Sequence, residues 1–207
     1  MAAHVETPST RERICEAALE GFAESGVAAT SIRDVAAAAG VSPGLVQHHF
    51  ATKDKLREAV NEYVVARAAE TFAELPSGDS AEEIQKELGD RVTSWAREHP
   101  EALLYVARLT ADGDPSALEI FDAFVGIADH QWRQLAEEGL LRPDVDLHWA
   151  ALQAIVLILG SALFERAIGR HLTSPWRNPE QLERWNRANS ELFRRGLYAG
   201  QGKIAPE

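Results

Sequence analysis

The 207-residue sequence predicts an all-α protein. Three observations carry that reading. Apolar residues recur at spacings of three and four over long stretches, the period of a helix buried on one face. β-branched alternation bounded by turn residues, the mark of strands, is nearly absent. Proline and glycine are sparse inside the periodic stretches and gather between them, next to residues suited to capping helices.

Each element follows in order. The first helix is expected from about Thr10 to Ser25, with Ile14, Ala18, Leu19 and Phe22 on its apolar face and Gly26 as its stop. Thr30 or Ser31 caps a short second helix with Ile32, Val35, Ala36 and Ala39 inward, and Gly40 ends it. Ser42 caps a third short helix whose first turn holds Pro43, where the missing N–H costs nothing. Thr52 caps a long fourth helix carrying Leu56, Val60, Tyr63 and Val64. The stretch Pro76-Ser77-Gly78-Asp79-Ser80 is the clearest internal break, and Ser80 with Glu83 reads as a capping box for a fifth helix ending near His99–Pro100. A sixth carries Leu103, Leu104, Val106 and Leu109 and stops at Asp112-Gly113-Asp114-Pro115; a seventh runs to Glu138–Gly139. Asp146 caps a helix over residues 149–164 that is apolar on nearly every side and must be covered all round. A break from Thr173 to Pro179 precedes a last helix through Leu182, Trp185, Asn189, Leu192 and Phe193.

The stretch Trp149 to Phe164 falls short of the roughly 20 apolar residues that a membrane span needs, so no membrane partner is expected. Residues 1–10 are polar and lack the apolar core and cleavage site of a signal peptide. The single cysteine, Cys15, excludes an intrachain disulfide and suits a reducing, cytoplasmic setting. Net charge is −11, which by itself argues against nucleic acid. Its distribution weakens that argument. Residues 1–57 hold six Lys and Arg against seven Asp and Glu, whereas the remainder holds fifteen against twenty-five. The acidity lies outside the N-terminal segment, and contact with phosphates depends on which face the cations occupy.

That segment contains the informative run TSIRDVAAAAGVSPGLVQHHF, residues 30–50. Two short helices joined by a glycine-containing turn form a helix-turn-helix. Ala36 and Ala37 keep the first helix slim, Gly40 supplies a left-handed turn, and Val41 plugs the space between the two. Ile32, Val35, Val46 and Phe50 supply a small core that fixes the crossing. Ser42 caps the second of the pair, and the outward end of such a helix enters the major groove.

Here the sequence resembles the TetR/AcrR regulators over roughly residues 10–57. The matching positions are Phe22-Ala23-Glu24-Ser25-Gly26, then Thr30, Ile32, Val35, Ala36, Ala39, Gly40, Val41, Ser42, Gly44, Val46, His49, Phe50, Lys53 and Leu56. The resemblance implies a DNA-binding domain over residues 1–57, an all-helical effector-binding and dimerisation domain over residues 58–207, and a palindromic operator bound by a homodimer. It implies that Arg33, Ser42, Pro43, Gly44, Leu45, Gln47 and His48 face the groove, with Gln47 suited to adenine and Arg33 to guanine or phosphate. Thr30, Ser31, His49 and Lys53 would hold phosphates and set register. The family often has Thr-Leu-Tyr where this chain has Leu45-Val46-Gln47, so a usual backbone contact is missing.

Beyond residue 58 the reading is physical. Gly160, Ser161 and Ala162 permit close approach of another helix, so residues 149–164 and the last helix are expected to form a two-fold dimer interface. Aromatic residues with scattered polar neighbours suit a small-molecule pocket, for which Trp95, Tyr105, Phe121, Phe124 and Gln153 are the candidates. The same aromatics also suit an ordinary core. An enzyme would need paired carboxylates, a nucleophile with its base, or a phosphate loop, and none is present in the sequence; no cofactor and no metal are called for, the pair His48–His49 lacking a third ligand at a helical offset. The expected function is a ligand-responsive repressor released by its small-molecule effector. The alternative keeps the DNA-binding head and has the C-terminal domain only dimerise or bind a protein partner.

Overall fold

The computed structural model describes residues 8–78 and 80–197 and contains ten helices among them. These are α1 (Thr10–Ser25), α2 (Ile32–Ala39), α3 (Pro43–His49), α4 (Lys53–Thr71), α5 (Ala81–Glu98), α6 (Pro100–Asp112), α7 (Ser116–Glu137), α8 (Leu147–Leu163), α9 (Glu165–Gly169) and α10 (Pro179–Gly196). Side-chain caps define many of the starts. Ser9, Ser31, Ser42, Ser80, Asp146 and Asn178 each accept from a backbone N–H in the first turn of the helix that follows. Lys55 N donates to Thr52 Oγ1 at 3.1 Å in the same way at the head of α4.

The chain forms two compact units. The first takes residues up to Arg67 together with Glu101–Ile120, and the second takes Ala68–Pro100 and the chain from Phe121 onward. The division expected at residue 57 thus falls inside α4, and α6 groups with the N-terminal helices. The reason is local chemistry. Arg108 of α6 donates from Nε to the Ala23 carbonyl (3.0 Å) and from Nη2 to the Glu24 carbonyl (2.8 Å), setting a cation on the negative end of α1. Tyr105 donates to Asn61 Oδ1 at 2.7 Å, and Arg57 pairs with Asp114 at 2.8 Å. Phe22 and Tyr105 stack with centroids 6.2 Å apart in a core that also buries Ile14, Leu19, Leu56, Val60 and Leu103. Burying each such side chain contributes about 1.5–3 kcal/mol.

In the second unit α5 lies against α10. Gly89 permits the approach, since a Cβ there would sit 2.5 Å from Asn186 Oδ1. Asn186 Nδ2 donates to Asp90 Oδ1 at 3.2 Å, and the Gln85 amide donates to the Ser190 carbonyl. The core gathers Ile84, Val125, Trp132, Leu135, Leu141, Ala150 and Ala151. The apolar α8 is not covered all round: Trp149 (60% exposed), Val156 (55%) and Phe164 just past its end (59%) face outward. With Gln153, Gly160 and Leu163 they trace one stripe along the helix. Of the α10 stripe, Leu192 alone is mainly exposed, while Leu182, Trp185, Asn189 and Phe193 are buried or half-buried within the unit.

Candidate nucleic-acid interface

The α2–α3 pair is built as its sequence dictates. Gly40 adopts φ +67°, ψ 36°, and its N–H and that of Val41 close onto the carbonyls of Ala37 (3.2 Å) and Ala36 (2.9 Å). Arg13 of α1 donates to the Ala39 carbonyl at 2.6 Å and so fixes the end of α2 against α1. Val46 is fully buried and Phe50 nearly so, which holds α3 by its inner face. The Arg11 guanidinium lies 5.4 Å from the Phe50 ring centroid, a cation–π contact that covers this edge of the core.

The outer face of α3 is open. Ser42, Pro43, Gly44, Leu45, Gln47, His48 and His49 are all exposed, and so is Arg33 on α2. Ser42 accepts from Leu45 N at 3.2 Å, leaving the helix start ordered without a bulky cap. Gly44 is not demanded by packing: a Cβ there would meet nothing closer than Ser42 Oγ at 3.9 Å. Its missing side chain leaves bare backbone on the exposed face of α3. The rings of His48 and His49 meet edge-on at 5.8 Å. Lys53 reaches back from α4 to donate to the Ala28 carbonyl at 3.1 Å, and an ammonium has further protons to offer a phosphate.

Thr30 requires a correction. It was expected at a phosphate, but it is 5% exposed and its hydroxyl sits between the carbonyls of Gly21 (2.9 Å) and Gly26 (3.0 Å). A hydroxyl has one proton, so a residue placed this way supports the loop before α2 instead of contacting DNA. Ser31 is exposed, but its hydroxyl donates to Asp34 Oδ2 at 2.6 Å in a reciprocal capping box, which also draws the Asp34 carboxyl below its usual range. A phosphate contact by Ser31 would have to displace that bond.

The five pocket candidates are not brought together. Tyr105 lies in the first unit as core, its phenol pushed up by burial. Trp95 and Phe124 meet edge-on at 6.0 Å inside the second unit, and Phe121 packs on the core around Trp132 and Leu135. Gln153 points outward from α8. The second unit instead holds a cavity of about 90 Å³ between α5, α7, α8 and α10, lined by none of the five. Periodicity placed these aromatics on helices but said nothing of which helices meet, so the lining residues Trp132, Trp185 and Phe193 carried no distinguishing signal.

Comparison with known proteins agrees with this geometry. A family model described as bacterial regulatory proteins, tetR family, matches residues 14–60. The HTH-type transcriptional repressor Rv3405c of Mycobacterium tuberculosis is 49% identical over 61 residues, covering 28% of this chain and 32% of that protein. The match thus spans about a third of the relative's length. The transcriptional regulatory protein RaaS of the same species is 28% identical over 141 residues, covering 65% of this chain and 60% of the relative. Among solved structures, one described as the molecular basis for control of antibiotic production by bacterial hormones superposes with a TM-score of 0.70 at 26% identity, covering 94% of this chain and all of that one. The ketosteroid transcriptional regulator KstR2 of M. tuberculosis shares the fold, with a TM-score of 0.63 at 21% identity over 94% of this chain and 98% of that one.

Proposed function

We propose that this chain, matched over residues 14–60 by the family model of bacterial regulatory proteins, tetR family, is a homodimeric repressor reading a palindromic operator in double-stranded DNA. The observation that carries this reading is the outer face of α3, a row of exposed polar side chains mounted on a fully buried Val46. Gln47 offers paired donor and acceptor groups to adenine, and Arg33 can fork onto guanine. His49 and Lys53 are placed at the rim, where cations meet phosphates and fix register.

The outward stripe of α8 supports the dimer. Large apolar side chains left exposed in a row mark an interaction surface, and a stripe with Gly160 in it lets a second copy of the helix approach closely. Two helices per subunit, α8 and α10, would make the bundle, with Leu192 the α10 contribution. The second unit would take the small-molecule effector. Residues of α4 belong to both compact units in one uninterrupted helix, so an effector that prefers one setting of α4 shifts operator affinity by its differential affinity, typically about 1–3 kcal/mol. A protein that meets chromosomal DNA and a metabolite works in the cytoplasm, and no described helix is long and apolar enough to cross a membrane.

Selection of operator sites from random duplex DNA by the full-length protein, followed by anisotropy binding across a salt series, tests the reading. Enrichment of a palindrome, with affinity falling steeply as salt rises, is the expected result. Binding without sequence preference would overturn it.

A further inference from the structure

We propose that the cavity between α5, α7, α8 and α10 is a binding site for an uncharged, single-ring aromatic molecule that carries one hydrogen-bond donor. That such a molecule would act as the effector rests on the regulatory reading above; the site itself does not.

The cavity of about 90 Å³ is open on one side, and its walls are mainly apolar. Trp132 and Phe193 meet at 6.1 Å with their rings tilted by 37°, and the Trp185 indole lines the cavity with them. Flat aromatic walls favour a flat aromatic guest, which gains edge-to-face and offset contacts beyond the area it buries. The walls are held apart before any guest arrives. Trp185 donates its indole N–H to Ser161 Oγ at 3.0 Å and is braced edge-on by Trp176 at 6.2 Å, so its ring cannot fold into the space.

Charge and polarity narrow the guest further. Among the described residues no Lys, Arg, His, Asp or Glu lines the cavity, so an ionic guest would leave water without a counter-charge. The polar lining comes from α5 and α10. The Gln85 amide donates to the Ser190 carbonyl, and Asn189 Nδ2 donates to the Trp185 carbonyl at 2.9 Å. Each amide is oriented by that bond, and its carbonyl oxygen is the group left to receive an O–H or N–H from a guest. Size sets the last limit. An apolar cavity of about 150 Å³ admits benzene, so a space of about 90 Å³ open on one side holds a single ring only with part of it in the opening, and a fused bicycle does not fit.

Calorimetry and tryptophan fluorescence of the full-length protein test this with phenol, benzene, benzoate and 1-naphthol as probes. Phenol is expected to bind with a Kd below about 1 mM, with benzene, benzoate and 1-naphthol each at least about tenfold weaker. Ala154→Leu and Leu157→Phe, two independent ways of filling the space from α8, should each abolish phenol binding, with circular dichroism melts identifying a variant that has simply failed to fold. Asn189→Leu, which removes one of the two amide acceptors, should narrow the preference for phenol over benzene. Absence of phenol binding, or phenol affinity unchanged in a folded filling variant, overturns the proposal. Operator binding followed in the same samples separates the two readings. If phenol binds and operator affinity is unmoved, the effector role falls and the site stands; if the protein selects no operator at all, the regulatory reading falls independently.

Discussion

Replacing Thr30 by valine separates a residue that holds the DNA-binding unit together from one that touches DNA. The hydroxyl lost in Thr30→Val sits 2.9 Å from the Gly21 carbonyl and 3.0 Å from the Gly26 carbonyl in a site 5% exposed. One buried hydrogen bond contributes about 1 kcal/mol net, give or take 0.5. The methyl that replaces the hydroxyl must also move away from two oxygens at hydrogen-bond distance. The neighbourhood gives little room, for a Cβ on Gly21 would already lie 2.8 Å from the Thr30 γ-methyl. The combined loss is therefore about 1–2 kcal/mol, which at roughly 2–4 °C per kcal/mol for a chain of this size lowers Tm by about 2–8 °C. Binding to the selected operator, measured below the melting range, should keep its affinity at fixed salt, because no contact to DNA has gone. Lys53→Gln provides the contrast: a smaller fall in Tm, since only an exposed bond to the Ala28 carbonyl is lost, with the slope reduced by about 0.9 for the one neutralised phosphate. An unchanged Tm in Thr30→Val together with operator affinity reduced about equally on all sequences would refute the structural assignment and restore Thr30 to the phosphate backbone.

Three further outcomes follow from the geometry. Val156→Glu places a carboxylate in the α8 stripe of both copies at once, and an unpaired buried charge costs about 3–5 kcal/mol; sedimentation velocity should show the wild type as a dimer and the variant as a monomer, and a wild-type monomer at micromolar concentration would refute the interface. Gln47→Ala should lose about 1–3 kcal/mol on the preferred operator and relax selectivity at one base pair in each half-site; an equal loss on all sequences in a competition assay would move Gln47 to the phosphates instead. Burial raises the Cys15 thiol from 9.0 to about 11, so the folded state keeps its proton after the unfolded state has lost it. The sign is then set: the stabilisation is complete below pH 9 and disappears as pH rises toward 11. Chemical denaturation of wild type and Cys15→Ala should show their stability difference changing in that window, and a difference flat across it would mean the thiol is not desolvated.

The helix starts were legible because each is written in one or two residues. Ser42 followed by Pro43, Asp146 before an apolar run and Gly40 between two short helices are local instructions, and the structure follows them. The outward α3 face was legible for the same reason, since burial of Val46 and Phe50 leaves their helical neighbours exposed. What the sequence withheld is long-range. Thr30 looks like any polar residue at a helix entrance, and nothing nearby in sequence announces that the Gly21 carbonyl, nine residues back, will receive it. Short α9 escaped because five residues give too little periodicity to read. Trp185 belonged by spacing to the α10 stripe expected at a dimer contact, but its bond to Ser161, 24 residues away, turns it inward. Likewise Tyr105 and Trp95 are ten residues apart and lie in different compact units, a division that their shared aromatic character does not announce.

The bonds from Arg108 to the last turn of α1 bear on how this protein can be taken apart and recombined. A fragment ending at residue 57 contains the whole helix-turn-helix yet lacks Arg108 and Asp114, and so leaves the Ala23 and Glu24 carbonyls and Arg57 without the partners found here. The α2–α3 head is therefore not a cleanly portable part. A chimera that grafts it onto another helical domain would have to carry residues 101–120 with it, and homologous exchange between such genes would preserve the fold only at crossover points that respect a unit discontinuous in the chain.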